Sequence, residues 1–369
     1  MKNLLAGNGV TIQFGGTDYL NASIINRAIA NIKSGKFPPH LYPAECAAML
    51  DAMQQELSKV VSGKYDTAAA TAYIRASLTD FKQRYSDRHV YEVHEIGFED
   101  YFLIFELVHI SQGIGNPDRF SNRGVFRRMF LDAIYNGGDI ESVYRNFTTP
   151  FVEWVQSHDT VFTTNYDSNL AAGCGVDVHH LHGCFKTLSE SYDPTSFRNQ
   201  LSDDLLDGEK VDSAYPYLYC NALVSYVGEL KEYSMSQSSV ANSGIEKFAK
   251  GYRDDPAMRE QIDAWPEDND LTRRLKEAIR LKAENPQLEH GEQYPHQMLG
   301  EITGALDILG LSPSNDGHLF SQILANEKIS HIVFYCFGDQ EAEDAMNLFH
   351  KKSVEIIDVR EHWENLGCT

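Results

Sequence analysis

The sequence predicts an α/β fold built on a Rossmann-like parallel sheet. Short runs rich in branched and aromatic residues have the composition of buried strands, and helical runs separate several of them. This alternation is typical of parallel strands that are joined by helices. The predicted strands lie at 3–6, 160–163, 176–181, 306–310, 332–335 and 354–358.

A chain of 369 residues is long enough to bury a large core. We interpret residues 1–369 as one domain, whose sheet core comes from about 1–20, 158–185 and 303–360. The stretches of about 21–157 and 186–302 have few strand-like runs. We therefore predict that both are large helical insertions, which form a second, mainly helical lobe.

Apolar spacing within the first insertion predicts core-facing helices. One begins at Pro43 and repeats apolar residues at intervals of three and four, with Cys46, Leu50, Met53 and Leu57 facing the core. Further helices are predicted at 98–110, 125–135 and 143–155, and the first of these is apolar nearly all round, as a central buried helix is. In the second insertion, acidic residues cluster at 202–204, and the polar run 235–243 predicts a loop.

The formal net charge of −21 opposes binding to nucleic acid or to an anionic membrane, because like charges repel. The charge either serves solubility or forms an acidic face for a basic partner. No stretch approaches the roughly 18 consecutive apolar residues that span a bilayer, and the first residues lack the apolar core of a signal peptide. We therefore expect a cytoplasmic protein.

None of the six cysteines belongs to a Cys-x-x-Cys pair, which argues against a four-cysteine zinc ribbon. A disulfide framework is not typical of a chain this long. His180, His182 and Cys184 alternate along the chain and would share one face of a strand. A metal site on that face is the alternative to our expectation that the protein binds no metal.

The first predicted strand ends in Gly7-Asn8-Gly9, a turn whose backbone can approach a ligand closely. If a helix starts near Thr17, its N-terminus adds positive potential for a diphosphate. A tight turn without a ligand is the alternative. Ile12 stands where the dehydrogenase pattern Gly-x-Gly-x-x-Gly has its third glycine, which argues against hydride transfer.

Polar side chains follow two predicted strands, where an open parallel sheet presents its ligand crevice. The amide of Asn165 both donates and accepts, which suits a ribose hydroxyl or an attacking water. Asp167 can accept from a carboxamide or cap the helix that follows. His182 ends the next strand directly before Gly183, and a neutral imidazole there can act as a general base. A core histidine bonded to a carbonyl is the alternative.

Four segments in this order resemble the sirtuin-like family of NAD-consuming proteins. They are Gly7-Asn8-Gly9, Thr163-Thr164-Asn165-Tyr166-Asp167, Leu181-His182-Gly183 and Gly310-Leu311-Ser312. The first two, together with the run from Ser312 to Asp316, look more like bacterial antiphage NAD hydrolases than like protein deacylases. The resemblance covers the sheet strands, in residues 1–20, 158–185 and 303–360, and implies a single sirtuin-like domain.

The resemblance also implies an NAD pocket. By analogy Asn165 orients water or the nicotinamide ribose, and His182 is the base. Asp167 would contact the nicotinamide carboxamide, and Ser312 the adenosine side. The other implied contacts are Gly7, Asn8, Gly9 and Thr11 around the phosphates, Asp316 at a ribose hydroxyl, and Thr163. The missing zinc ribbon and acyl-peptide cleft favour simple hydrolysis over deacylation.

The implied reaction cleaves the nicotinamide–ribose bond of NAD, the substrate, to give nicotinamide and ADP-ribose. An unrestrained NAD hydrolase kills its own cell, so we expect the gated toxic effector of a bacterial antiphage abortive-infection system. The resemblance implies a homo-oligomer and a separate regulatory or sensor protein such as a HerA-type ATPase, without direct binding to nucleic acid or membrane. The alternatives are an NAD-dependent deacylase or ADP-ribosyltransferase, a non-catalytic NAD or ADP-ribose sensor, and a scaffold subunit.

Overall fold

The computed structural model describes residues 1–35, 41, 45–87, 90–115, 118–201, 211–226, 228–289, 291–292 and 294–368, and only the backbone of 47, 120, 229, 230 and 232–239. We interpret the sequence as one domain, whereas contacts within the chain divide it into two compact units. The first unit comprises Met1–Lys186, Ala222–Glu232 and Tyr294–Thr369, and the second comprises Thr187–Asn221 and Tyr233–Gln293.

The first unit contains a six-stranded sheet whose strands all run parallel. The strands are β1 (Lys2–Ala6), β2 (Thr160–Thr163), β3 (Val178–His180), β4 (Gly304–Leu309), β5 (Ile329–Cys336) and β6 (Val354–Asp358). Their order is β3-β2-β1-β4-β5-β6, which is that of a doubly wound, Rossmann-like sheet. The predicted α/β class is therefore confirmed.

The central strand β1 lies between β2 and β4, with Ala6 opposite Thr163 on one side and Leu309 on the other. Its residues Leu4, Leu5 and Ala6 are fully buried. Central strands of a parallel sheet are covered on both faces, which is why they form continuous apolar runs that composition alone can find. Side chains from the sheet and its covering helices make one core, including Leu5, Phe162, Leu306, Ile308, Phe320, Phe334 and Phe349.

The α-helices of the described ranges cover most of the remaining chain. They are α1 (Asn8–Gly15), α2 (Asn21–Lys33), α3 (Glu45–Val61), α4 (Ala72–Arg84), α5 (Asp100–Ser111), α6 (Asp118–Tyr135), α7 (Thr149–Gln156), α8 (Asn169–Cys174), α9 (Phe197–Gln200), α10 (Gly228–Asp254), α11 (Pro256–Asp263), α12 (Asp270–Glu284), α13 (His296–Glu301), α14 (Gly317–Ala325), α15 (Asp339–Leu348) and α16 (Val359–Asn365). No helix within these ranges has the length and apolar character needed to cross a bilayer.

Three helix predictions in the first insertion are confirmed. The helix predicted at 125–135 lies within α6. The residues predicted to face the core from α3, including Cys46 and Leu50, are buried. The predicted start of that helix at Pro43 and the acidic cluster at 202–204 lie outside the described residues. Every residue of α5 from Asp100 to His109 is buried, as expected for a helix that is apolar on nearly all sides.

Three local predictions differ from the structure. The stretch 143–155 is divided between a 3₁₀ segment, Asn136–Asn146, and α7, because the Thr148 side chain caps α7 and Pro150 lies in its first turn. Strand β3 is shorter than predicted and ends at His180, two residues before His182. The run 235–243 belongs to α10, since polar residues lower helix propensity only slightly and tertiary context overrides it.

Candidate active site

A cavity of about 700 Å³ lies where the chain leaves the strands at the carboxyl edge of the sheet. All of its lining residues belong to the first unit. The predicted catalytic residues Asn165 and His182 both line it, one after β2 and the other after β3. Of the predicted NAD contacts, the cavity wall includes Asn8, Asp167 and Asp316, whereas the lining of described residues does not include Gly7, Gly9, Thr11, Thr163 and Ser312.

The glycines of the first turn permit close approach of the turn after β4. The Gly7 amide donates to the Leu309 carbonyl at 2.8 Å, and the Gly9 amide donates to the Gly310 carbonyl at 2.9 Å. A Cβ atom on Gly9 would lie 2.5 Å from Cα of Gly310, which is closer than atoms pack. Helix α1 begins at Asn8 rather than near Thr17, and neither Gly7 nor Gly9 has a positive φ. Both amides are therefore engaged within the protein, and their contact with a diphosphate stays a prediction.

Asn165 is held in one orientation by its own amide hydrogens. Its Nδ2 donates to the Gly7 carbonyl at 3.3 Å and to Thr11 Oγ1 at 3.0 Å. Its backbone is fixed as well, because its N–H donates to Thr163 Oγ1 and its carbonyl accepts from His180 Nδ1. With both amide hydrogens engaged, Oδ1 is the group of this side chain that can accept from a ligand or a water. Thr11 and Thr163 therefore position Asn165 from behind the cavity wall.

Asp167 lines the cavity and also fixes the start of α8. Its carboxylate accepts from the Asn169 backbone N–H at 2.9 Å, from Asn169 Nδ2 at 2.6 Å and from Thr11 Oγ1 at 3.3 Å. Burial raises the pKa of Asp167 to about 6, and the hydrogen bonds from Asn169 oppose that shift. Asp167 thus accepts from the first N–H of α8, although the N-cap residue of that helix is Ser168. Its contact with a carboxamide stays a prediction.

The turn after β4 carries Ser312 and Asp316. The Ser312 hydroxyl accepts from the Ser314 amide at 3.4 Å, and the cavity wall begins one residue later, at Pro313. Asp316 precedes α14 with φ of 51°, a left-handed conformation that Asp and Asn adopt more readily than most residues. Its Oδ1 lies 3.8 Å from His182 Nε2. Burial raises the pKa of Asp316 to about 6, although the Lys231 ammonium favours its ionised form.

His182 is buried among three polar neighbours. Its Nε2 lies 3.1 Å from Nε2 of His318, and its Nδ1 lies 3.4 Å from Nζ of Lys231. Lys231 is 1% exposed and donates to Glu99 Oε1 at 2.8 Å. The ring of His296 stacks near both imidazoles, and its Nε2 donates to the Leu181 carbonyl at 2.8 Å.

These surroundings keep the histidines of the site uncharged. Burial lowers the pKa of His182 well below its usual range, and the charge of Lys231 lowers it further. Burial and Lys231 act on the pKa of His318 in the same direction. His182 therefore enters any reaction near neutral pH as a neutral imidazole.

The wall contains three side chains that could bind a metal ion: those of His182, Asp316 and His318. Their nitrogen and oxygen atoms lie within 4.8 Å of one another, as a metal site would require. A metal-bound imidazole normally donates its second N–H to a carboxylate or carbonyl. Here the second nitrogen of His182 faces the Lys231 ammonium, which has only donors and repels a cation. We therefore assign no metal to this group. The face predicted for His180, His182 and Cys184 does not form, because β3 ends at His180.

Sequence reasoning did not find four residues of this site: Glu99, Lys231, His296 and His318. His318 had a signal, since it lies two residues after Asp316, in the first turn of α14. Glu99 directly precedes α5 and Lys231 lies in the first turn of α10, both in segments without any recognisable motif. Only the folded chain brings them to His182. No family model, no curated protein and no solved structure matches this chain.

Proposed function

We propose that the protein is an NAD hydrolase that cleaves the nicotinamide–ribose bond to give nicotinamide and ADP-ribose. The observation that carries the proposal is the meeting of Asn165 and His182 in the wall of one cavity, at the carboxyl ends of adjacent parallel strands. Ligands of open α/β sheets bind at this edge. The cavity volume of about 700 Å³ lies within the range of small-molecule and cofactor sites.

The charges of the cavity wall suit the expected transition state. Nicotinamide leaves with the electron pair of the bond, and positive charge spreads over the ribose. The described lining includes five carboxylates, those of Asp80, Glu99, Asp100, Asp167 and Asp316, against the two cations Arg84 and Lys231. The carboxylates therefore outnumber the cations and stabilise such a charge. His182 is neutral, so it adds a hydrogen-bonding group without placing another cation beside the developing one.

Water attack is then mainly a matter of orientation. In the proposed reaction Oδ1 of Asn165 accepts a hydrogen bond from the water and aims its oxygen at the ribose carbon. The amide is held by Gly7 and Thr11, so this orientation exists before the substrate binds. Neither a metal nor a covalent nucleophile takes part in the scheme.

We further propose that the hydrolase is the gated effector of a bacterial antiphage system that causes abortive infection. Gating is needed because unrestrained NAD cleavage kills the host cell. The proposed gate is self-assembly together with a separate partner, of which a HerA-type ATPase is one kind. An activity that rises when the protein of the neighbouring gene is added supports the gate, whereas full activity of the isolated protein argues against it.

The test is incubation of the purified protein with NAD, alone and with the protein of the neighbouring gene, with nicotinamide and ADP-ribose measured by chromatography. We expect Asn165→Ala and His182→Ala to abolish release. Asn347→Ala on the exposed surface of α15 and His331→Ala on β5 are the matched controls and keep it. Binding of NAD without turnover under both conditions would instead indicate a nucleotide sensor.

A further inference from the structure

The Lys231 ammonium determines which nitrogen of His182 carries the proton. An ammonium group donates hydrogen bonds and cannot accept them. Lys231 is held as a cation by Glu99, at 2.8 Å, and its Nζ lies 3.4 Å from Nδ1 of His182. Nδ1 of His182 is therefore the acceptor of this contact. A neutral imidazole has a single N–H, which must then be at Nε2.

The proton on Nε2 of His182 points to His318. The two Nε2 atoms are 3.1 Å apart, so the Nε2–H of His182 donates and Nε2 of His318 accepts. The result is a hydrogen-bond chain that runs from Lys231 through His182 to His318. Within this series of hydrogen bonds, Nδ1 of His182 uses its lone pair to accept from Lys231, and Nε2 carries the proton. Neither nitrogen can therefore accept a proton from water.

The described lining of the cavity also includes five carboxylates, and four of them already have partners. Asp80 and Asp100 pair with Arg84 at 3.1 Å and 2.8 Å, and Asp100 also accepts from the hydroxyl of Tyr85. The carboxylate of Asp167 is held by three donors from Asn169 and Thr11. The carboxylate of Glu99 accepts from Lys231 and from the hydroxyl of Tyr166 at 3.3 Å. The fifth carboxylate is that of Asp316, whose side chain is 21% exposed and whose Oδ1 lies 3.8 Å from Nε2 of His182.

We propose that Asp316 is the catalytic base of the hydrolysis and that Lys231 is a positioning residue that makes His182 a hydrogen-bond donor. The inference rests on the NAD hydrolase function proposed above. It changes the role that the sequence resemblance implies for His182, from proton acceptor to donor. It also gives Asp316 a role in the reaction itself rather than in ribose binding alone.

The step balances without any further reactant. The bond between the ribose carbon and the nicotinamide nitrogen breaks, and its electron pair returns to the pyridine ring, which becomes neutral. The water oxygen forms the new bond to the same carbon. The proton released by the water passes to the Asp316 carboxylate and then to solvent, so NAD and water give nicotinamide, ADP-ribose and a proton.

The electrostatic surroundings of Asp316 suit a base near neutral pH. Burial raises its pKa to about 6, the Lys231 ammonium lowers it and the Glu99 carboxylate raises it. The imidazoles that face it, His182 from the turn after β3 and His318 from α14, are neutral and add no charge. A base is most effective when its pKa lies close to the working pH.

The first arm of the test measures the tautomer without NAD, by ¹⁵N NMR of histidine-labelled protein. The expected spectrum shows His182 protonated at Nε2 and unprotonated at Nδ1, and its signals are assigned by their loss in His182→Gln. In Lys231→Met we expect the proton to redistribute between the two nitrogens, and Lys231→Arg should restore the wild-type tautomer. Wild-type His182 protonated at Nδ1 would overturn the inference.

The second arm measures hydrolysis. We expect Asp316→Asn to lower kcat by about 100-fold or more, the usual contribution of a general base, with little change in KM. Asp339→Asn is the matched control, because Asp339 also follows a strand at the start of a helix but lies at the exposed start of α15. His182→Gln keeps an N–H donor and should retain more activity than His182→Ala.

The pH dependence of activity and the two variants together distinguish Asp316 from His182 as the base. Activity of the wild type should fall as pH drops through about 6, where Asp316 takes up a proton. An active Asp316→Asn together with an inactive His182→Gln would make His182 the base and overturn the inference. Wild-type protein that releases no nicotinamide refutes the hydrolase and the base together, and the NMR result for Lys231 and His182 then stands by itself.

Discussion

The imidazoles of His182 and His318 meet with their Nε2 atoms 3.1 Å apart and their ring centroids 5.3 Å apart. His182 follows β3 and His318 lies in the first turn of α14, which follows β4, so the contact joins two strand ends of the cavity wall. Burial keeps both rings neutral, and a hydrogen bond between them requires one ring to donate and the other to accept. The contact between the two rings therefore depends on which nitrogen of each imidazole carries its proton.

Replacing Asn165 with aspartate tests the orientation of its amide. Asn165→Asp puts an acceptor against the Gly7 carbonyl, where Nδ2 now donates at 3.3 Å. We expect a loss of about 1–3 kcal/mol in the free energy of unfolding, the usual cost of an unsatisfied buried polar group. Urea denaturation measures it, with the exposed Asn347→Asp as control. Unchanged stability in Asn165→Asp would mean that the amide does not donate to Gly7.

The substitution Gly9→Ala tests how closely the turns after β1 and β4 approach each other. Gly9 lies in helix α1, where alanine is favoured over glycine by about 1 kcal/mol. A Cβ there would lie 2.5 Å from Cα of Gly310, and overpacking against backbone costs about 1–3 kcal/mol or more. We therefore expect Gly9→Ala to lower the free energy of unfolding.

The control for Gly9 is Gly124 in α6, where an added Cβ meets nothing within 4 Å. Gly124→Ala has the same gain in helix propensity without the clash, so it should stabilise the protein by up to about 1 kcal/mol. Thermal and urea unfolding of both variants give the comparison. If both changes stabilise the protein, the two turns are not packed as closely as described.

The ion pair between Lys231 and Glu99 should have a larger coupling energy in unfolding than an ion pair on the surface. Lys231→Met leaves the Glu99 carboxylate without its cation, and removal of one partner from a fully buried pair costs about 3–5 kcal/mol. We expect a smaller loss, because the Glu99 side chain is 25% exposed. The double variant Lys231→Met, Glu99→Gln should recover part of that loss in a double-mutant cycle of urea unfolding.

The surface pair between Lys186 and Glu141, at 3.6 Å, is the control for that cycle. The Lys186 side chain is 66% exposed, so water screens the interaction. Its removal should cost less than about 1 kcal/mol. Equal coupling energies for the two pairs would contradict the burial of Lys231.

His362 gives the pH dependence of stability a definite sign. Burial lowers its pKa from 6.5 to about 4. Between these values the unfolded chain binds a proton that the folded chain does not, so stability rises with pH. The contribution of His362 is fully present above pH 6.5 and is lost as pH falls towards 4.

The free energy of unfolding, measured between pH 4.5 and 7, tests that sign. We expect its dependence on pH to be shallower in His362→Gln than in the wild type. His350→Gln, at an exposed position, is the control and should follow the wild type. An identical slope in His362→Gln would mean that the residue titrates alike in both states.

The central strands and the two motif residues could be predicted because their signals are local. Strand β1 is covered on both faces, so its apolar run marks it, and Asn165 and His182 follow strands whose ends must meet at one edge. Lys231 could not be predicted, since its role depends on Glu99 and His182, which are distant in the chain. The run 235–243 was misassigned because its polar composition favours a loop only weakly over a helix.

The most direct test of the proposed function is the ratio of the two products formed from NAD. Purified wild-type protein, with the protein of the neighbouring gene present, should release nicotinamide and ADP-ribose in equal amounts, and Asn165→Ala should release neither. Nicotinamide without free ADP-ribose would indicate transfer to an acceptor. No release under any condition, by protein that is folded and binds NAD, would contradict the proposal that this chain hydrolyses NAD.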